Sequence, residues 1–205
     1  MSMNNGILYV ISGPSGAGKG TVCKELLAKR DDLFVSVSAT TRNKRPFEEE
    51  GVNYFYKSDD EFKRMISDGE ILEWSEYNGA LYGTPRAGVE QKLLEGRKVI
   101  LEIETQGAFN VKKLFPDAVL IFIAPPTFHT LHERLKNRGR DPEADMESRI
   151  IKGLTELKVA ADYPYYIIND NLDECVKEVI DIINKTEVSR KHILSLLSEA
   201  EGLGY

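Results

Sequence analysis

A glycine-rich run near the N-terminus has the residue types and spacing to bind phosphate. Residues 13–19, Gly-Pro-Ser-Gly-Ala-Gly-Lys, match the pattern G-x-x-x-x-G-K and lie between an apolar stretch and a helical pattern. Glycines let successive backbone N–H groups point at an anion, and the start of the following helix adds positive potential. Lys19 can bridge the β- and γ-phosphates of a nucleoside triphosphate. The residues predicted to bind that nucleotide are Gly13, Ser15, Gly16, Ala17, Gly18, Lys19, Gly20 and Thr21.

The residue after Lys19 departs from the usual motif. Gly20 stands where a serine or threonine normally ligates Mg²⁺, and a hydroxyl follows one position later at Thr21. We therefore assign no metal ligand to the chain. We expect the cofactor Mg²⁺ to be held mainly by phosphate oxygens and water, while Thr21 contacts phosphate. The Gly-Lys-Gly-Thr run is similar to that of kinases acting on nucleoside monophosphates.

Strands and helices alternate along most of the chain, and they must position this loop. Residues 6–12 form a nearly unbroken apolar run, which is typical of a strand buried on both faces. Later β-branched segments are 98–103, 118–124 and 166–169, with 34–37 as a weaker candidate. Apolar residues recur at helical spacing from Leu172 to about Lys185. This alternation predicts an α/β fold with a P-loop parallel β-sheet core flanked by helices.

Two segments interrupt the alternation. Residues 38–85 contain short aromatic-rich strands and one short helix, which predict an inserted small β-rich lobe. Residues 127–162 are helical in pattern and strongly charged, and this composition suits a helical lid. The single domain 1–205 is thus divided into that lobe, that lid, and a core. The core comprises residues 1–37, 86–126 and 163–205.

Composition excludes several classes of protein. The 205 residues include 27 Lys and Arg against 33 Asp and Glu, for a net charge of −6. This balance argues against a general nucleic-acid or membrane-surface binder, because both need a dominant basic face. Two widely spaced cysteines, Cys23 and Cys175, favour a reducing cytoplasm. No apolar run approaches the roughly 18 residues needed to cross a bilayer.

Two further segments carry structural expectations. The acidic run Glu48–Glu50 predicts a solvated loop. The C-terminal residues 188–205 bring Ile193, Leu196 and Leu197 close together, so they can dock on their own core or on a neighbouring copy. A homodimer therefore remains open.

Several motifs in the lobe and beyond resemble those of guanylate kinases. The resemblance runs from Ile7 to about Asp173, with the motifs in family order. They are Ser38-Ala-Thr-Thr-Arg-Asn-Lys-Arg-Pro46, Gly51-Val-Asn-Tyr-Phe55, Ile71-Leu-Glu-Trp74, Leu81-Tyr-Gly-Thr84, Gln106-Gly107 and Ile123-Ala-Pro-Pro126. The resemblance makes residues 38–85 the GMP-binding lobe.

The resemblance implies a set of GMP contacts in that lobe. Arginine, serine and tyrosine side chains can surround a monophosphate with charge-assisted hydrogen bonds. The residues implied for the phosphate are Arg42, Arg45, Tyr54 and Tyr82, with Ser38 nearby. Glu73 can accept the adjacent N1–H and N2–H₂ donors of guanine, and Thr84 can donate to O6. Glu104 stands where the family usually has Asp, and it could face the base or the ribose.

The resemblance also implies residues on the ATP side and in the lid. Arg134, Arg138 and Arg149 match the family's lid arginines. Asn169 resembles the adenine-side contact, although the pair Asn169-Asp170 would equally suit a helix cap. The implied catalytic residues are Lys19, Arg42, Arg138 and Arg149, which would stabilise charge on a transferring phosphoryl group.

The implied activity is ATP-dependent phosphorylation of GMP, and of dGMP, to the diphosphate by direct in-line transfer. ATP and GMP would be the small-molecule partners. Three alternatives stay open at this stage. A monophosphate kinase of different base specificity would not need Glu73 and Thr84 arranged for guanine. A non-catalytic guanylate kinase-like interaction module typically loses the phosphate loop that this chain retains. A GTPase would need an Asp that the runs 104–107 and 184–187 lack.

Overall fold

The computed structural model describes residues 6–77, 79–137 and 143–202. In chain order the elements are β1 (Ile7–Ser12), α1 (Lys19–Lys29), β2 (Leu33–Val35), β3 (Ala39–Thr40), β4 (Phe55–Tyr56), α2 (Asp59–Ser67), β5 (Ile71–Tyr77), β6 (Ala80–Pro85), α3 (Arg86–Leu94), β7 (Lys98–Glu102), α4 (Thr105–Leu114), β8 (Val119–Ala124), α5 (Phe128–Asn137), α6 (Glu143–Lys158), β9 (Tyr165–Ile168) and α7 (Leu172–Gly202).

The main sheet has five parallel strands in the order β2-β7-β1-β8-β9. All six residues of β1 are buried, because helices cover both faces of the sheet. Tyr9 and Ile11 face the cluster that includes α1 and α7, whereas Leu8 and Val10 face α3 and α4. The predicted α/β class with a parallel core is confirmed.

The order of strands places the phosphate loop. Because β1 is central and parallel to both neighbours, the loop that follows Ser12 opens at the carboxyl edge of the sheet. Ligands of open α/β sheets bind at this edge. The segments after β7 and β8 emerge at the same edge and therefore flank the loop.

A smaller mixed sheet, β4-β3-β6-β5, forms with α2 between residues 39 and 85. Its own small core contains Ala39, Phe62 and Ile71. Helix α2 begins at a capping box, in which Ser58 and Glu61 each bond the other's backbone N–H. The small sheet packs against the main body through contacts between β5 and α4.

Helix α7 is longer than its apolar pattern predicted. It runs unbroken for 31 residues, whereas the spacing predicted an end near Lys185. No glycine or proline interrupts it before Gly202, so backbone hydrogen bonding continues past the last buried apolar residue, Ile183. Arg190 still donates to the Gly6 carbonyl oxygen at 2.9 Å. Among the described residues, the long helices are too polar for any to span a membrane.

Candidate active site

The phosphate loop has positive φ at three glycines, a backbone that other residues rarely adopt. Gly13, Gly16 and Gly18 have φ of 145°, 91° and 92°. A Cβ at Gly13 would overlap the Ile123 carbonyl oxygen, and one at Gly18 would overlap the Asn169 amide. The loop thus lies directly against β8 and the end of β9. Helix α1 starts at Lys19 with no side chain capping its N-terminus, which leaves its first N–H groups for an anion.

Lys19 folds back over this loop. Its ammonium donates to the Gly13 carbonyl oxygen and, at 3.3 Å, to that of Pro14. The ammonium therefore stands where phosphate oxygens could replace two backbone carbonyls as acceptors. The loop supplies both the amides and the cation that its sequence predicted.

A cavity of about 280 Å³ joins the phosphate loop to the small sheet. Residues from both parts line it, so the fold brings the two predicted groups together. The predicted residues in its wall are Ser15, Gly16, Gly18, Lys19, Gly20, Ser38, Arg42, Arg45, Tyr54, Glu73, Tyr82 and Glu104. The predicted residues Gly13, Ala17, Thr21 and Thr84 do not line this cavity.

A second cavity, of about 420 Å³, opens on the other side of the loop. Its wall includes Gly16, Gly18, Thr21, Arg134, Asn169, Asp170 and Leu172. The buried Asn169 side chain donates to the Ala17 carbonyl oxygen at 2.7 Å, and Arg134 donates to the Asn169 carbonyl oxygen at 3.0 Å. The α7 cap is Asn171, whose side chain accepts from the Glu174 N–H. Asn169 thus holds the loop, and its amide lies at the edge of this cavity.

Arg42 is bound by a carboxylate that the sequence did not single out. Its guanidinium donates to both oxygens of Glu48, at 2.9 and 3.0 Å, and lies 5.3 Å from the Tyr54 ring centroid. Glu48 is only 7% exposed and also accepts from the Arg45 N–H and the Tyr56 hydroxyl. The prediction of a solvated loop is therefore wrong at Glu48, although Glu49 and Glu50 are exposed.

These donors decide the charge of Glu48. Burial alone would raise the pKa of this carboxyl, but hydrogen bonds from Arg42, the Arg45 backbone and Tyr56 lower the pKa to about 2. The pKa of the Tyr56 hydroxyl is raised to about 12, mainly by burial and next by its hydrogen bond to Glu48. Glu48 is therefore an anion at any pH at which the protein works, and it keeps Arg42 oriented.

Glu73 lines the cavity and forms a buried pair with Thr84, which does not itself line it. The Thr84 hydroxyl donates to Glu73 Oε1 at 2.7 Å, and the two residues are 1% and 7% exposed. Burial raises the pKa of Glu73 above its usual range. Gly107 makes the pair possible, because a Cβ there would overlap Glu73 Oε2. The second oxygen of Glu73 thus lies against the start of α4.

Glu104 is tied to the lid by a lysine that no sequence signal distinguished. Both of its oxygens accept from the Lys152 ammonium of α6, at 2.7 and 2.8 Å. Lys152 also lies 4.2 Å from the Tyr77 ring centroid. A charged helix face gives no hint of such a partner, since the pairing depends on where α6 lies.

Two more carboxylates reach the cavity without having been predicted. Glu102, at the end of β7, has its oxygens 3.4 and 3.5 Å from the position of a Cβ on Gly20. Glu156 of α6 is 5% exposed and faces the loop. Among the described residues, no group of three or more His, Cys, Asp or Glu could by itself hold a metal ion.

Two of the predicted lid arginines have side chains that the structure does not describe. Arg138 falls between α5 and α6, and Arg149 belongs to α6 but its side chain is not described. Arg134 is the predicted lid arginine whose contacts are known.

Comparisons with known proteins match this chain to guanylate kinases. The family model described as guanylate kinase matches residues 5–186. A guanylate kinase of Caldanaerobacter subterraneus is 46% identical over 200 residues, which are 97% of each chain. That of Clostridioides difficile is 45% identical over 192 residues, or 93% of this chain and 94% of its own. The crystal structure of the Anaplasma phagocytophilum guanylate kinase superposes with a TM-score of 0.74 at 31% identity, covering 88% of this chain and 86% of that one.

Proposed function

The chain belongs to the guanylate kinase family, and from this premise we propose how its own residues carry out the ATP-dependent phosphorylation of GMP. The enzyme is a nucleoside monophosphate kinase. One observation carries the proposal for the site: a single cavity is lined both by the phosphate loop and by Glu73 of the lobe, which is bonded to the buried Thr84. The intact loop favours catalysis over a non-catalytic interaction module.

The donor nucleotide binds at the phosphate loop. Its phosphates accept from the backbone N–H groups of Gly16 and of residues 18–20, and from Lys19, which turns away from the Gly13 and Pro14 carbonyls. Thr21 contacts phosphate. The adenine occupies the second cavity, beside Arg134 and Asn169. This arrangement directs the terminal phosphate into the first cavity.

The acceptor GMP lies in the lobe between residues 38 and 85. Its phosphate is held by Arg42, Arg45, Tyr54 and Tyr82, with Ser38 nearby. Glu73 accepts from N1–H and N2–H₂ of guanine, and the Thr84 hydroxyl rotates from Glu73 Oε1 to donate its one hydrogen to O6. Adenine does not present these adjacent donors, so the buried carboxylate selects guanine. Glu104, held by Lys152, lies beside the base and ribose.

Transfer needs no general base, because the acceptor phosphate oxygen is already ionised at neutral pH. That oxygen forms a bond to the γ-phosphorus while the bond from phosphorus to the β–γ bridging oxygen breaks, giving GDP and ADP. Lys19, Arg138 and Arg149 stabilise the charge on the migrating group, and Arg42 holds the acceptor in line. Closure of the lid, residues 127–162, over the lobe excludes water.

Mg²⁺ completes the proposal. Gly20 offers no ligand, whereas Glu102 places a carboxylate beside it that can accept hydrogen bonds from metal-bound water. The residues therefore fit an ion held by phosphate oxygens and water, with Glu102 orienting that water. When bound, the ion neutralises charge on the β- and γ-phosphates.

We expect a second acceptor, a cytoplasmic location and a homodimer. Nothing in the residues around the base excludes deoxyribose, so dGMP is a second acceptor. The acidic net charge and the two unpaired cysteines suit a cytoplasmic enzyme that binds neither nucleic acid nor membrane. The half-exposed Ile193, Leu196 and Leu197 of α7 suit a homodimer.

A coupled assay of ADP release tests the function. ATP is offered with GMP, dGMP, AMP, CMP, UMP and dTMP separately. We expect turnover with GMP and dGMP, and at least a hundredfold lower kcat/KM with the others. Equal use of AMP would overturn the role of Glu73, and no turnover with any acceptor would favour the interaction module. Glu76→Gln, at an exposed position of the strand β5 that contains Glu73, should keep the same preference among acceptors.

A further inference from the structure

Glu156 is a buried carboxylate that the mechanism above does not use. It lies on α6, is 5% exposed, and lines the same cavity as Ser15, Lys19 and Glu104. Glu48 and Glu73, the other buried carboxylates of this cavity, accept hydrogen bonds from side chains of the lobe. Glu156 instead faces the end of the cavity where the terminal phosphate of ATP must arrive.

Helix α6 holds Glu156 directly against the phosphate loop. Its carboxylate lies beside the Ser15 backbone N–H. One turn earlier, Gly153 stands against Pro14, and a Cβ there would lie 3.6 Å from the proline Cβ. Helix α6 therefore approaches the phosphate loop at two residues on neighbouring turns, Gly153 and Glu156. Of these two residues, Glu156 is the one with a polar side chain.

Charged and titratable groups face Glu156 from every element around it. Lys19 approaches from the start of α1, Glu104 from the start of α4, Lys152 from α6 itself, and Tyr163 from the segment before β9. Neither lysine is bonded to Glu156: Lys19 donates to Gly13 and Pro14, and Lys152 to Glu104. Burial consequently dominates and raises the pKa of Glu156 to about 7.

Binding of ATP would change this balance in one direction. Lys19 turns toward the phosphates and is neutralised by them, while the terminal phosphate brings negative charge into the cavity that Glu156 lines. Both changes disfavour a carboxylate at this position. A neutral carboxyl group can still accept from the Ser15 N–H, and its O–H can donate to a phosphate oxygen.

We propose that Glu156 is a positioning residue of the phosphate loop that takes up one proton from solvent when the terminal phosphate of ATP binds. The step joins a proton from water or buffer to one carboxylate oxygen, and no bond of the nucleotide changes. The neutral group keeps α6 on the loop without repelling the phosphate. The inference rests on the proposed function, since it needs ATP at this loop.

Calorimetry of nucleotide binding tests the proton uptake. The intact enzyme is titrated at pH 8, without GMP, with the Mg²⁺ complex of a non-hydrolysable ATP analogue in two buffers of different ionisation enthalpy. A group with a pKa of about 7 is about nine-tenths ionised at pH 8, so we expect an uptake of about 0.9 proton. Glu156→Gln, which keeps an acceptor for Ser15, should bind the analogue with no buffer-dependent heat. The exposed Glu178→Gln should behave like the wild type.

The pH dependence of affinity gives a second readout in the wild type alone. Binding linked to uptake of one proton weakens about tenfold per pH unit above pH 7 and is nearly constant below pH 6, where Glu156 already carries the proton. Uptake that is absent in the wild type, or unchanged in Glu156→Gln, would overturn the inference while leaving the proposed function intact. A wild type that gives no binding heat at all overturns the ATP site and the inference with it.

Discussion

The two ends of the cavity offer an anion different kinds of hydrogen-bond donor. At the phosphate loop the donors are mainly backbone N–H groups, and their geometry is enforced by β8 and Asn169, which leave no room for a Cβ at Gly13 or Gly18. In the lobe the donors are side chains from short strands and loops. Arg42 is held there by Glu48, whose two carboxylate oxygens accept from both terminal nitrogens of the guanidinium.

The phosphate loop and the lobe are therefore preorganised in different ways. Backbone donors are fixed by the packing of the core and need no counter-ion, because each N–H is only a dipole. A full cation in a half-buried loop needs an anion beside it, or it would swing into solvent. In the proposed complex, GMP phosphate therefore shares Arg42 with Glu48, whereas ATP phosphates only displace Lys19 from two carbonyls.

Lys19→Ala gives the largest expected effect and tests the loop end. Loss of a cation that stabilises the transferring group should lower kcat by a factor worth about 3 kcal/mol or more, with little change in Tm. Steady-state kinetics and thermal melts measure the two quantities. Lys24→Ala, exposed on the same helix, is the control. Turnover close to that of the wild type would remove Lys19 from the mechanism.

Gly13→Ala tests whether the loop end depends on its backbone. The substitution forces a Cβ onto the Ile123 carbonyl at φ 145°, and strain of this kind costs about 1–3 kcal/mol of stability. Gly69→Ala is matched, since its φ of 72° is also positive but no atom lies within 4 Å of the added Cβ. Denaturant unfolding should show Gly13→Ala to be the more destabilised. Equal losses would mean that contact with β8 does not shape the loop.

Glu73→Ala tests base selection in the lobe. Guanine donors would lose their buried acceptor, so kcat/KM for GMP should fall by about 1–3 kcal/mol while KM for ATP stays unchanged. Kinetics with each substrate varied in turn separate the two constants. An unchanged kcat/KM for GMP would show that the base is recognised elsewhere.

Glu48→Gln gives the smallest effect and tests the counter-ion of Arg42. Loss of one charge-assisted pair should lower kcat/KM for GMP by about 1–2 kcal/mol, and leave ATP binding unchanged. The folded-state pKa of Glu48, about 2, lies below its unfolded value, so its contribution to stability is present above pH 4.5. That contribution is lost as the pH falls toward 2. The free energies of unfolding of the wild type and of Glu48→Gln should therefore become equal near pH 2. Glu49→Gln, at an exposed position, is the control. A constant difference in stability at all pH values would contradict this role.

Much of the fold was predictable because its signals are local. The phosphate loop is contiguous, and the strands 98–102, 119–124 and 165–168 lie within one residue of the apolar runs that predicted them. The end of α7 was not predictable in the same way. Apolar spacing reports which face is buried, and the helix continues to Gly202 after its buried face has ended.

The lobe shows the limit of pattern reasoning. Glu48 lies in a run of three glutamates, which is typical of a solvated loop, and its neighbours Glu49 and Glu50 are exposed. Only the fold of the chain between Arg42 and Tyr56 places four donors around Glu48. The residue types of Arg42 and Glu73 pointed to phosphate and guanine, but their partners were not visible in the sequence.

The sequence by itself determined the phosphate loop, the parallel core and the residue types of the acceptor lobe, since each is a property of neighbouring residues along the chain. The tertiary structure alone decided which side chains share the cavity. Glu104 and Lys152 are 48 residues apart, Ala17 and Asn169 are 152 apart, and Glu156 meets Ser15 only because α6 packs on the loop. The burial and the charge of residues at such contacts depend on how helices and strands pack against one another. The pattern of neighbouring residues in the sequence does not specify that packing.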